Sequence, residues 1–116
     1  MVHNMKLHPR PFEMIRCGLK RYELRLFDEK RQKIKPGDLI LFTNSNDVDK
    51  QIQVSVLSVQ IFPDFEALYR ALPISACGYL PDELKDASAK DMQSYYSREQ
   101  QEKYGVIAIE VKLLSE

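Results

Sequence analysis

Apolar and polar positions along this chain switch between a period of two and helical spacing, and the switches mark its elements. From Arg21 to Phe27, Tyr22, Leu24 and Leu26 share one parity, while Arg21, Glu23, Arg25 and Phe27 share the other. That alternation predicts a half-buried strand. Glu23 and Arg25 should therefore project from one face. Lys20 has the parity of the apolar residues, so it should leave by the other face or from the strand's entrance. Leu39 to Phe42 is apolar on both faces, the pattern of a central strand. Ile52, Val54 and Val56 alternate with polar neighbours, then the phase flips to Leu57, Val59 and Ile61. A one-residue slip of this kind predicts a bulge or sharp bend. The last strand carries Ile107, Ile109, Val111 and Leu113 on one face.

Punctuation fills in the rest. Met5 to His8 is a short strand candidate, followed by Pro9 and Pro11 at the start of a helix spanning about residues 10–17. Gly18 sits where a C-terminal cap belongs. Lys35-Pro36-Gly37-Asp38 is a tight turn, and Asn44-Ser45-Asn46-Asp47 predicts a hairpin. Phe65, Leu68, Tyr69 and Leu72 line one face of a helix that Pro73 stops. Residues 74–85 read as an irregular excursion. Ser88 caps a predicted helix covering Met92 and Tyr95 or Tyr96, and Ser97 with Gln100 forms a capping box for another turn. The order is strand, helix, three strands, two helices, strand. It favours an α+β fold with a mostly antiparallel barrel over a doubly wound sheet.

Composition narrows the function classes. The 116 residues suit one domain over 1–116, with no internal repeat or linker. No apolar run approaches the roughly 18 residues of a membrane span. The first dozen residues lack a signal-type apolar segment, which gives a cytoplasmic reading. Cys17 and Cys77 make no CxxC pair, and with only His3 and His8 beside them no metal-ligand spacing appears. No cofactor motif is visible. The formal net charge is zero, so the whole chain does not advertise nucleic-acid binding. Cations nevertheless crowd Arg16 to Lys35, whereas Asp64 to Glu110 is net acidic. This asymmetry fits a local anion site better than a broad basic face.

The segment Gly18-x-Lys20-x-x-Glu23-x-Arg25 carries the strongest signal. With the proline-flanked helix before it, Lys33-x-Lys35-x-Gly37-Asp38 after it, and Tyr95-Tyr96 through Tyr104-Gly105-Val106-Ile107 near the end, it resembles the ASCH domain family. The resemblance covers essentially the whole chain. It implies a PUA-like β-barrel with a cleft beside the motif and an association with RNA or a nucleotide. Some small relatives hydrolyse the acetyl amide of acetylcytidine, and another is reported as a ribonuclease. In the acetylcytidine-cleaving group a threonine stands three residues after the motif lysine; here that position is Glu23.

Residue chemistry leaves several readings open. Arg25 offers a planar fork for phosphate or carboxylate, and Lys20 a compact ammonium. Glu23 can accept from the exocyclic amine of a base. Equally, Glu23 and Arg25 can simply pair with each other. As ligand or RNA contacts the sequence nominates Gly18, Lys20, Glu23, Arg25 and Tyr96, the last as a stacking platform. Were the chain an amidohydrolase, Lys20 and Glu23 would be the catalytic pair. Were it a ribonuclease, His8 or Lys20 would be the base. Ser45 and Ser97 show no Ser-His-Asp pattern.

Overall fold

In the computed structural model, which describes residues 1–115, five strands form one sheet in the order β1-β3-β4-β5-β2. The strands are β1 (Val2–Leu7), β2 (Tyr22–Leu26), β3 (Leu39–Asn44), β4 (Asp47–Phe62) and β5 (Val106–Ser115). The helices are α1 (Pro9–Arg16), α2 (Phe65–Ala71) and α3 (Arg98–Tyr104). Only β1 and β3 run parallel; the other neighbouring pairs are antiparallel. The sheet curls into a half-barrel, so the predicted α+β class and antiparallel bias hold. The barrel stays open between its two edge strands, β1 and β2.

The phase slip is where the hydrophobic pattern placed it. Pairing of β4 with β5 shifts register between Val56 and Ser58, which lets one long strand bend and serve both halves of the sheet. The predicted hairpin joins β3 to β4, with the Asn46 N–H held by the Asn44 side chain at 2.9 Å. The Ser97–Gln100 capping box is also present, at 3.1 Å and 3.0 Å. β1 begins earlier than its apolar pattern suggested, because its parallel register with β3 runs from Val2 opposite Leu39. The helix expected after Ser88 is instead a 3-10 helix, Ala89–Ser94. The excursion before it contains two more, Ile74–Ala76 and Pro81–Asp86.

Two hydrophobic clusters lie on opposite faces of the sheet. Phe12 and Ile15 of α1 pack with Ile40, Phe42, Ile52, Val54, Ile107 and Ile109 on one face. Phe65 and Leu68 of α2 pack with Leu24, Leu26, Val106, Ala108 and Cys77 on the other. Each large apolar side chain buried this way contributes roughly 1.5–3 kcal/mol. β5 is therefore covered on both sides, and β2 beside it feeds Tyr22, Leu24 and Leu26 into the second cluster. A half-buried strand would leave the opposite face of β2 to solvent. Here it is not exposed: Glu23 retains only 3% of its accessible surface. That face turns into the open side of the half-barrel, toward β1. No helix among the described residues is long and apolar enough to cross a membrane.

Candidate functional site

The chain enters β2 through a tightly held corner. Gly18 has φ +84°, which lets the backbone turn back on the end of α1. The Leu19 and Lys20 N–H groups both donate to the Met14 carbonyl, at 2.9 Å and 3.0 Å. The next N–H, of Arg21, donates to the Ala76 carbonyl at 2.8 Å. Lys20 thus lies at the strand's entrance, one of the two positions its parity allowed. Its side chain does not leave by the opposite face. It folds back toward Glu23.

The result is a three-residue ionic cluster. Lys20 Nζ lies 2.9 Å from Glu23 Oε1. Arg25 donates to Glu23 Oε2 from Nε at 3.1 Å and from Nη2 at 2.9 Å. The Leu24 N–H adds a contact to Oε1 at 3.3 Å. Both carboxylate oxygens are occupied, and two cations serving one anion leave one positive charge uncompensated. Burial, the largest influence on Glu23, would push its carboxyl up; the Lys20 and Arg25 charges and their hydrogen bonds outweigh it and hold the group below the usual carboxylate range. Glu23 is therefore ionised at neutral pH. The expected pairing of Glu23 with Arg25 is real, but it is buried rather than a surface pair of roughly 0–1 kcal/mol.

Above this cluster opens a cleft of about 600 Å³. Lys20, Glu23, Arg25 and Tyr96 all line it. Gly18 does not; it borders a shallow groove between α1 and β5. Tyr96 rests on Phe65, with ring centroids 5.7 Å apart and planes 20° from parallel. Burial raises its phenol above the ordinary tyrosine value. Tyr95 also reaches the cleft, whereas Tyr104 packs against the second cluster. His8 lines the far side, its Nδ1 3.4 Å from Ser45 Oγ.

The opposite wall comes from residues that the sequence pattern did not nominate. Tyr79 donates to Asp91 Oδ2 at 2.7 Å, and Tyr69 sits 2.8 Å from the Tyr79 oxygen. Burial lifts the Tyr69 phenol to about 12 and drives that of Tyr79 up as well. Arg10 on α1 pairs with Glu83, tying this wall to the first helix. Gly78 has φ +107°, and a Cβ there would lie 3.3 Å from Lys20 Cδ. The wall backbone thus comes close enough to the lysine stem to fix its course. The sequence offered one hint, the Gly78-Tyr79 pair in the excursion, and nothing to say what it approaches. No group of three metal-ligating side chains occurs among the described residues.

A curled five-stranded sheet, open between its edge strands and carrying a cation-flanked carboxylate in a cleft at that opening, defines the class of this protein as a PUA-like α+β domain. The ASCH domain family model matches residues 5–115, and the chain belongs to that family. Among solved structures, the hypothetical protein PH0355 is 32% identical, with a TM-score of 0.81 over 98% of this chain and 100% of that one. Protein PF0455 from Pyrococcus furiosus is 30% identical, with a TM-score of 0.72 over 98% of each chain. The ASCH protein of Zymomonas mobilis shares the fold at 15% identity, with a TM-score of 0.62 over 96% of this chain and 66% of that one. No curated protein matches this sequence.

Proposed function

We propose that this protein binds single-stranded RNA or a nucleotide in the cleft, seating a phosphate on Lys20 and Arg25 and a base near Tyr96. The observation that carries this reading is the saturated Glu23 carboxylate. With both its oxygens occupied by Lys20 and Arg25, what remains at that end of the cleft is positive charge and spare N–H donors. Arg25 Nη1 has no hydrogen bond to the described residues. Phosphate needs such donors, and a planar guanidinium matches its geometry. Membership of a family proposed to bind RNA supports the same conclusion.

Hydrolytic readings have less support. A lysine engaged as an ammonium has no lone pair with which to take a proton, and Glu23 between two cations is a weak base. His8 lines the cleft but meets Ser45 rather than a carboxylate. Fluorescence anisotropy with short single-stranded RNAs tests the proposal. Binding should fall steeply between about 50 mM and about 200 mM salt. Lys20→Ala should weaken it, while Lys33→Ala, remote from the cleft, should not. Binding that ignores both salt and Lys20 would refute the proposal.

A further inference from the structure

The two ends of the cleft differ in the direction of their hydrogen bonds. At the motif end acceptor capacity is spent, because Glu23 receives Lys20 on one oxygen and Arg25 on the other. The charged groups there have only donors left. At the opposite wall the reverse holds. A carboxylate can only accept, so in the 2.7 Å contact Tyr79 is the donor and Asp91 Oδ2 the acceptor. With its one proton spent, Tyr79 must accept at 2.8 Å from Tyr69. Tyr69 therefore spends its proton as well. Both hydroxyl protons run toward Asp91, whose Oδ2 also takes the Ser88 N–H at 3.2 Å. Asp91 Oδ1 receives no hydrogen bond among the described residues. The Tyr69–Tyr79–Asp91 wall offers the cleft lone pairs and no protons.

A ligand spanning the cleft must therefore present acceptors to Lys20 and Arg25 and N–H donors to Asp91. We infer that the cleft selects nucleotides whose base carries an exocyclic amine, with Asp91 Oδ1 accepting from that amine and the cationic end holding the phosphate. The inference rests on the nucleotide-binding reading and adds a specificity residue, Asp91, held in place by Tyr79. Met14, Leu24, Met92 and Tyr96 add apolar lining to the same cleft. A base bearing a carbonyl at the same position would set lone pair against lone pair, and Asp91, which is exposed in the free protein, would give up water there without gaining a hydrogen bond.

CMP and UMP test this feature. C4 carries an amine in CMP and a carbonyl in UMP. The neighbouring N3 changes with it from acceptor to N–H donor, so their ratio is read together with that of Asp91→Asn. Isothermal titration of the full chain with each should give tighter binding of CMP by about tenfold, the ratio expected for one hydrogen bond to a charged acceptor. Asp91→Asn keeps the shape and supplies an N–H₂ donor, so the preference should vanish or invert while the melting temperature stays close to that of the parent. Tyr79→Phe, which removes one of the two hydrogen bonds that hold Asp91 Oδ2, should reduce the CMP-to-UMP ratio. Equal binding of CMP and UMP by the parent, or an unchanged ratio in Asp91→Asn, overturns the inference and leaves the nucleotide-binding reading intact. If neither nucleotide binds and the short RNAs do not bind either, both fall.

Discussion

Arg25 on β2 donates from Nη2 to the backbone carbonyl of Lys6 on β1, at 2.8 Å, across the open side of the half-barrel. Lys30 does the same for the Asn4 carbonyl, also at 2.8 Å. Asn4 and Lys6 lie two apart on an edge strand, so their outward carbonyls lack a strand partner. Two cationic side chains supply what a sixth strand would. Arg25 thus joins three things at once: the Glu23 carboxylate, the unpaired edge of β1, and the cleft.

Glu23 should accordingly be essential to stability. Glu23→Gln leaves Lys20 and Arg25 facing each other without a counter-charge, at side-chain exposures of 10% and 16%. Removing one member of a buried ionic cluster costs about 3–5 kcal/mol. Urea denaturation should show a midpoint shift of that size with little change in slope. A shift under about 1 kcal/mol would mean that solvent already screens the cluster.

Acid should weaken the fold through the same residue. The folded carboxyl of Glu23 lies below its ordinary value of about 4.3. Between the two values the unfolded chain binds the extra proton, so stability rises with pH there. The contribution of Glu23 is fully present above the ordinary value and is lost as pH falls through the lowered one. Urea midpoints followed from about pH 6 to about pH 2.5 should fall less steeply for Glu23→Gln than for the parent. Asp38, Glu13 and Glu83 are also lowered and supply the slope both proteins share.

Gly78 and Gly37 make a controlled pair. Both have positive φ, +107° and +91°, so alanine at either position is strained by roughly 1–2 kcal/mol. Only at Gly78 would the new Cβ meet Lys20, whereas nothing lies within 4 Å at Gly37. Both variants should melt earlier. Only Gly78→Ala should also weaken RNA binding in anisotropy, because it displaces the Lys20 stem. Equal binding by the two variants would show that Lys20 relaxes without consequence.

The two thiols should react in order. Cys17 is exposed at the end of α1, while Cys77 is buried beside the cleft. Burial pushes the Cys77 thiol up to about 11, against the lowering pull of Lys20 and Arg21. Thiolate is the reactive form. Brief iodoacetamide treatment followed by mass spectrometry should find Cys17 alkylated in the native protein, and Cys77 only after denaturant is added. Ligand binding should slow any residual reaction at Cys77, which lines the cleft.

The local pattern determined a good deal by itself. The slip at Val56–Leu57 located the bend in β4, because side-chain parity is counted along one strand and needs no partner. The Asn44–Asp47 hairpin and the Ser97–Gln100 box were legible for the same reason, since their hydrogen bonds close within a few residues. The shared face of Glu23 and Arg25 followed from a period of two. Tertiary structure decided what lies opposite each of these. Glu23 is buried because β2 is an edge strand turned toward β1, a relation between segments that no local period encodes. Lys20 joins Glu23 because a corner at Gly18 and a wall at Gly78 direct its stem. The wall itself joins Tyr69 on α2, Tyr79 in an irregular stretch and Asp91 in a 3-10 helix. Residues so far apart in sequence meet only when the chain has folded, so the motif could mark one end of the cleft and the other had to be found in space.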